Sequence, residues 1–131
     1  MTNLEKIANF LSQNPVQILS TSIKNFPNSR PLGSAMLVGD RIYYCMNKNK
    51  NLFLELSENS NVCICVCGKD FSWIRINASV IFDDDLEPKK AFIKNGKTRF
   101  QSPEDENFAV FYLSKIKAEI HRGLEIEKIE L

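Results

Sequence analysis

The sequence feature that most constrains the fold is a two-residue interruption between two apolar runs. Gly39-Asp40 separates a run that ends at Val38 from the run Arg41 to Met46, which contains an isoleucine, two tyrosines and a cysteine. Two residues of this type between strand-forming runs are typical of a β-hairpin. The chain is therefore expected to build an antiparallel sheet from neighbouring strands.

Further strand-like segments follow along the chain, with short helical segments between them. Helical spacing of apolar residues predicts one helix at residues 4–11, ending before Pro15, a second around 52–56 and a third at 86–95. Residues 24–30, which contain Pro27-Asn28-Ser29, are predicted to form a turn. Strands are predicted at residues 16–23, 31–38, 41–46, 62–67, 71–83, 108–113, 115–120 and 124–131. This order favours an α+β fold that is mainly β with short helices, a six- to seven-stranded antiparallel barrel, over a doubly wound sheet.

Composition and charge limit the classes of partner. The 131 residues are 44% apolar, which suits one domain spanning residues 1–131. The net charge of +1 argues against a dedicated nucleic-acid or membrane-surface binder. No apolar run approaches the roughly 18 residues of a membrane helix, and the first residues do not resemble a signal peptide. We expect a cytoplasmic protein with no nucleic-acid or membrane partner.

The cysteines and acidic residues suggest metal binding only weakly. Cys63, Cys65 and Cys67 alternate, so a strand would place them on one face, about 7 Å apart at ~3.3 Å rise per residue. This spacing is too long for a relaxed disulfide, no C-x-x-C pair is present, and the single histidine, His121, is distant in sequence. We therefore predict small buried thiols and no metal site. The acidic triplet 83–85 could bind a cation, but a solvated turn that caps the next helix is favoured.

Sequence signatures of enzymes with built-in chemistry are missing. The chain has no G-x-G-x-x-G, no P-loop, no H-E-x-x-H and no G-x-S-x-G. One histidine cannot serve both a catalytic triad and a metal site, and no serine or cysteine is marked as a nucleophile beside a base. If the protein catalyses a reaction, we expect a cofactor to supply the chemistry, and no catalytic residue is assigned.

Two segments have the composition of a phosphate site. Arg30-Pro31-Leu32-Gly33 begins one strand of the hairpin, and Asn47, Asn49 and Lys50 lie where the other strand leads into a helix. Amides, polar side chains and cations at such a junction can gather a phosphate, and Gly33 would let a flat ring approach the backbone. The alternative is that the charges are ordinary solvated ones and Gly33 marks a bulge. Spacing alone favours this alternative, because short motifs often match by chance.

The order of motifs resembles that of a known family. Five segments carry this resemblance: Arg30 to Gly33, Ile42 to Lys50, Leu56 with Asn59 to Val62, Trp73 to Ala78, and Ser102 to Asp105 with Val110 to Leu113. Their order and spacing are similar to those of the pyridoxamine 5′-phosphate oxidase-like FMN-binding split β-barrels. The similarity is greatest to the small members grouped with nitroimidazole-resistance proteins. Met46 replaces a frequent threonine, Ser60 a frequent proline, and Phe100 a frequent tyrosine in a shortened segment.

The resemblance implies a cofactor and a set of residues that bind it. Arg30 and Lys50 would hold the phosphate of FMN, with help from Asn47 and Asn49. The backbone of Pro31, Leu32, Gly33 and Ser34 would follow the edge of the isoalloxazine, and Cys45 and Met46 would lie beneath the ring or the ribityl chain. The resemblance also implies a homodimer with flavin at the subunit interface. Trp73 and Arg75 are candidates to support that interface, and packing in the core is an equally good account of Trp73.

The function expected from the resemblance is that of an FMN-dependent oxidoreductase. Reduced flavin would pass electrons to a small acceptor, with nitro compounds as one class and NAD(P)H as the electron donor. The alternative is a non-catalytic protein of the same split-barrel fold that binds a flavin, a deazaflavin or haem, with His121 as a haem ligand.

Overall fold

Eight strands form one antiparallel sheet, and three short helices accompany it. The computed structural model describes residues 1–131. The elements in chain order are α1 (Asn3–Gln13), β1 (Gln17–Ile23), β2 (Phe26–Leu32), β3 (Met36–Val38), β4 (Arg41–Asn47), α2 (Asn51–Glu58), β5 (Asn61–Cys67), β6 (Trp73–Asp83), α3 (Leu86–Lys94), β7 (Phe108–Arg122) and β8 (Glu125–Glu130). The predicted mainly β fold with short helices is confirmed, with eight strands instead of six or seven. None of the helices is long and apolar enough to cross a membrane.

The strand order explains why the sheet has a gap. The strands follow the order β2-β1-β5-β6-β7-β4-β3, and β8 pairs with the second half of β7 while β4 pairs with its first half. Strands β2 and β3 are therefore the two ends of the path, although only residues 33–35 separate them in sequence. The sheet curls round without closing. Strand β3 pairs only with residues 41–43 of β4, so the rest of β4 faces β2 across the gap.

The hairpin at Gly39-Asp40 forms as predicted. Val38 pairs with Arg41 across the two-residue turn, and Gly39 has a φ of +62°. Positive φ at the first central position of a two-residue hairpin loop is tolerated best by glycine.

The turn predicted at residues 24–30 is confirmed at its first two residues, but its extent to Arg30 is wrong. The chain reverses at Lys24-Asn25, both with positive φ, and Ile23 pairs with Phe26. The segment Pro27-Asn28-Ser29 belongs to β2. Proline is compatible with this position because β2 is an edge strand, where one side of the backbone has no ladder to donate to.

Two other predicted boundaries differ from the structure. The strand expected at 31–38 is divided, since β2 ends at Leu32 and β3 begins at Met36. The strands expected at 108–113 and 115–120 are one strand, β7. An irregularity in the β6–β7 register, with Lys115 at a φ of +51°, accounts for the apparent break, because a bulge interrupts the alternation without ending the strand.

Two groups of buried side chains hold the fold together. The larger core lies inside the curved sheet and includes residues of α1 and α2, among them Ile7, Leu11, Leu52 and Leu56. A smaller core contains Tyr43, Phe92, Phe108 and Val110, and is covered by α3. Asp85 accepts a hydrogen bond from the backbone N–H of Glu87 (3.1 Å) and caps α3, so the acidic triplet contributes the predicted cap.

The prediction of buried cysteines on β5 is wrong. Cys63, Cys65 and Cys67 share one face, as expected, but Cys65 and Cys67 are exposed and Cys63 is half-buried. The alternate residues Val62, Ile64 and Val66 are buried instead. Every residue of the run 62–67 is apolar, so the sequence does not indicate which face of the strand meets the core. The larger aliphatic side chains occupy the core face.

Candidate functional site: a cleft at the gap in the sheet

A cleft of about 720 Å³ lies at the gap between β2 and β4, beside the start of α2. Its volume is in the range of small-molecule sites. Strand β2 contributes Asn28, Ser29, Arg30, Pro31 and Leu32, strand β4 contributes Cys45, Met46 and Asn47, and the helix start contributes Lys50, Asn51, Leu52 and Glu55. The two predicted segments therefore face each other across one cavity.

Arg30 is held in the cleft by two side chains. Its Nη2 donates to Oε1 of Glu55 at 2.6 Å, and its Nη1 donates to the hydroxyl of Thr21 at 3.0 Å. The Thr21 hydroxyl also donates to the same Glu55 oxygen. These hydrogen bonds with Thr21 and Arg30 hold the pKa of the Glu55 carboxyl below its usual range. The guanidinium has further N–H groups, so a ligand in the cleft can still bind to it.

The turn Asn47–Lys50 is held by two short-range hydrogen bonds, which leave other N–H donors of this segment without a partner in the protein. The side-chain oxygen of Asn47 accepts from the backbone N–H of Asn49 (3.0 Å), and its carbonyl accepts from that of Lys50 (3.1 Å). The amide NH₂ of Asn47 takes part in no hydrogen bond within the protein. Lys50 is the N-cap of α2, forms no side-chain cap and belongs to no ion pair. The N–H of Phe53 already donates to the carbonyl of Lys50 (3.0 Å), so the ammonium and the N–H groups of Asn51 and Leu52 are the donors left to bind an anion.

A second cavity of about 640 Å³ continues from the first. It shares Cys45, Met46, Asn47 and Lys50, and is completed by residues 96–100. Lys97 and Arg99 give this half two more cations, and the ring of Phe100 stacks on Phe108 with centroids 4.6 Å apart. The four shared residues, which we call the floor, thus lie between two compartments, the cleft itself and this second cavity.

Cys45 lies at the boundary of the two compartments as a half-buried thiol. Its Sγ lies 3.6 Å from the carbonyl oxygen of Lys97. Burial raises the pKa of this thiol above its ordinary value, so Cys45 is a neutral, apolar part of the floor at physiological pH.

The structure brings most of the predicted site residues together, but not all. Those that line the cleft are Arg30, Pro31, Leu32, Cys45, Met46, Asn47 and Lys50. Gly33, Ser34 and Asn49 lie outside its lining, and Ser34 and Asn49 instead hold the backbone beside it. A Cβ at Gly33 would meet only the carbonyl oxygen of Pro15 at 3.5 Å, an ordinary contact, so packing does not require glycine there.

Sequence reasoning missed several residues of the lining. Asn28 and Ser29 fall in the predicted turn, whereas Asn51, Leu52 and Glu55 belong to none of the predicted site segments. Positions 51 and 55 are four residues apart, so they share a face of the helix, and this spacing is the signal that could have placed them beside Lys50.

Other residues considered from the sequence lie elsewhere. His121 stacks on Trp73 with ring centroids 3.9 Å apart and lies 3.4 Å from Glu119, on the outer face of β6 and β7. Neither cavity at the gap includes it. No group of three or more His, Cys, Asp or Glu side chains is arranged to hold a metal ion.

Comparison of the sequence with known families gives a single assignment. The family model for pyridoxamine 5′-phosphate oxidase matches residues 4–120, which include every element that lines the cleft. The chain belongs to the pyridoxamine 5′-phosphate oxidase family. Among curated protein sequences, none matches this chain.

Several solved structures have the same fold as this chain. A NimC/NimA family protein from Clostridium acetobutylicum is 27% identical, with a TM-score of 0.91 over 98% of this chain and 92% of that one. General Stress Protein 26 from Bacillus anthracis is 20% identical, with a TM-score of 0.79 over all of both chains. A pyridoxamine 5′-phosphate oxidase-related, FMN-binding protein from Nostoc punctiforme is 15% identical, with a TM-score of 0.65 over 100% of this chain and 98% of that one. The predicted split-barrel fold is confirmed.

The family assignment covers all five segments that carry the resemblance, and two of them form the cleft. The segment Arg30 to Gly33 occupies the end of β2, and the passage from Ile42 to Lys50 forms β4 and the turn into α2. Both lie within the matched range and meet at the cleft. In this member of the pyridoxamine 5′-phosphate oxidase family, the cleft is the candidate functional site.

Proposed function

We propose that this protein binds FMN in the cleft between β2 and β4, with the phosphate at Arg30 and Lys50. The observation that carries the proposal is the convergence of these two cations, from separate elements, on one cavity of about 720 Å³. The amide NH₂ of Asn47 and the N–H groups of Asn51 and Leu52, at the start of α2, are further donors to a phosphate. The donor set therefore fits a phosphorylated cofactor.

The remainder of the lining suits the ring and the polyol chain. Pro31, Leu32, Met46 and the neutral thiol of Cys45 give apolar surface, while Asn28, Ser29 and Asn51 give hydrogen-bonding groups for hydroxyls. The second compartment, next to Cys45 and Met46, leaves space for a small reactant beside the cofactor.

The function that this site supports best is that of an oxidoreductase. FMN, when bound, supplies hydride and electron transfer. The chain itself needs only to bind the cofactor, orient the reactant and exclude water. This agrees with a cleft that has no histidine and one half-buried thiol. We assign NAD(P)H as the electron donor and a small molecule, such as a nitro compound, as the acceptor, on the basis of the resemblance to nitroimidazole-resistance proteins.

We also propose a homodimer, with the flavin close to the subunit interface. The outer face of the sheet carries a row of paired residues, Ile18, Cys65, Arg75 and Glu119, across β1, β5, β6 and β7. Ile18 and Cys65 are exposed, and Trp73 lies half-buried beside Arg75. This mixture of apolar surface and opposite charges suits contact with a second copy of the same face.

The test is an absorption spectrum of the purified protein, followed by anaerobic addition of NADH or NADPH. Flavin bands that bleach with the nucleotide and return with a nitro compound support the proposed reaction. Flavin bands that do not respond to a reductant identify a flavin-binding protein without turnover.

Haem binding is distinguished by the same spectrum. A Soret band would indicate haem, but the ring of His121 is stacked on Trp73, outside both cavities of the cleft. The linings of the two cavities contain no histidine that could ligate haem iron. If FMN added to the flavin-free protein fails to bind, the proposed function is wrong.

A further inference from the structure

Glu55 is the only acidic residue that lines the proposed phosphate end of the cleft. Its carboxylate accepts from Arg30 at 2.6 Å, and the two side chains are mostly buried, with 17% and 22% of their surfaces exposed. A carboxylate and a phosphate need the same donors of a guanidinium. A phosphate that binds to Arg30 must therefore share the guanidinium with Glu55.

Groups other than Glu55 also hold Arg30 in place. The hydroxyl of Thr21 also accepts from Arg30 at 3.0 Å, and two backbone carbonyls, of Leu19 and Asn28, lie within 3.5 Å of the same Nη1. Lys50, on the other side of the cavity, has no acidic partner. The phosphate end thus holds two cations, and Glu55 alone neutralises the charge of one of them.

We propose that Glu55 is a built-in counter-charge that weakens phosphate binding at Arg30 and keeps the cofactor exchangeable. The inference rests on the proposed function, since it concerns the same site, and it adds a residue that sets affinity. Its carboxylate stays ionised at physiological pH because Thr21 and Arg30 stabilise the charged form. The residue therefore acts as a fixed charge and not as a pH switch.

The charge can be removed with little change of shape. Glu55→Gln keeps the side-chain oxygen that accepts from Arg30 and Thr21, but removes the negative charge. Glu58→Gln is the matched control, because Glu58 is an exposed residue of the same helix and lies outside the cleft. Each protein is titrated with FMN and with riboflavin, which has the same ring and polyol chain but no phosphate.

For Glu55→Gln we expect FMN to bind about tenfold more tightly, since a like charge next to the phosphate has been removed. Riboflavin affinity should change less than twofold, and Glu58→Gln should match the wild type for both ligands. Weaker binding of FMN would show that Glu55 positions Arg30. Weaker binding of both flavins would assign Glu55 to the polyol chain, and either result would overturn the inference, as would no change.

A second measurement does not depend on flavin. Inorganic phosphate should raise the melting temperature of Glu55→Gln more than that of the wild type, at equal ionic strength made up with chloride. If neither flavin binds the wild type, the proposed function fails while this comparison still decides the role of Glu55. Failure of Glu55→Gln to melt cooperatively would assign Glu55 to the stability of the fold and overturn the inference.

Discussion

The hydroxyl of Ser34 and the backbone of Cys45 are joined by two hydrogen bonds, each 3.2 Å long. Ser34 Oγ donates to the carbonyl of Cys45 and accepts from its N–H. The β3–β4 register, in which Met36 pairs with Tyr43, would place Ser34 opposite Cys45 if β3 were longer. The side chain therefore replaces the backbone ladder just before β3 begins at Met36, and fixes the part of β4 that lines the cleft.

Ser34→Ala should loosen this end of β4. The backbone N–H of Cys45 loses its acceptor, and we expect a loss of about 1–3 kcal/mol in the free energy of unfolding. Urea denaturation measures the loss, and a flavin titration of the same variant should show weaker binding. Ser57→Ala is the control, since it removes a hydroxyl that bonds to the backbone on α2, outside the cleft. Equal effects of the two variants on flavin affinity would contradict a role for Ser34 in shaping the site.

Lys50→Ala should weaken FMN but not riboflavin. Loss of one charged contact to the phosphate should cost on the order of 1.5–3 kcal/mol of binding free energy. Flavin fluorescence gives both dissociation constants, and Lys48→Ala is the control because Lys48 lies next to the site without lining it. If riboflavin weakens as much as FMN, Lys50 does not contact the phosphate.

Arg30→Ala should cost more FMN affinity than Lys50→Ala. The substitution removes a cation and also leaves the carboxylate of Glu55 unpaired in the phosphate end of the cleft. Glu55→Gln should therefore improve FMN affinity more in the Arg30→Ala background than in the wild type. Calorimetry on the four proteins of this cycle measures the coupling, and additive effects would mean that the phosphate does not meet this pair.

The sequence allowed the antiparallel architecture to be predicted because its signals were local. Gly39-Asp40 lies between two strand-forming runs, and helical spacing was clear in α1. The β1–β2 turn was predicted too long because Pro27-Asn28-Ser29 suggested a turn where an edge strand forms. Edge position is a property of the whole sheet, so these residues alone could not reveal it.

The site was predictable as far as its residues lie on the recognisable segments. Arg30 and Lys50 were assigned from the family-like segments at the ends of β2 and β4, whereas Glu55 reaches the cleft only because α2 packs against β1 and β2. Its partners Thr21 and Arg30 are 34 and 25 residues away in sequence. No short-range pattern contains that contact.

The Cys45 thiol should react slowly with alkylating reagents at pH 8. Because burial raises the pKa of Cys45, the reactive thiolate is scarce at this pH and its fraction grows only as the pH rises past the ordinary value of 9.0. Peptide mapping after timed alkylation follows Cys45 separately from the other three cysteines. Bound FMN should slow the reaction further, and a rate at Cys45 that is already maximal at pH 8 would contradict the effect of burial.

Arg75→Glu should dissociate the proposed homodimer. Arg75 forms an ion pair with Glu119 at 3.0 Å and lies over the ring of Trp73, in the exposed row of β-strand residues. The ion pair itself is half-exposed and contributes little to folding, whereas a reversed charge placed opposite acidic side chains of a second copy costs several kcal/mol. Sedimentation velocity should show a monomer for this variant and a dimer for Lys90→Glu, a charge reversal on α3 away from that face. If the flavin lies near the interface, the monomeric variant should also lose FMN, and a variant that stays dimeric with full flavin content would place the interface elsewhere.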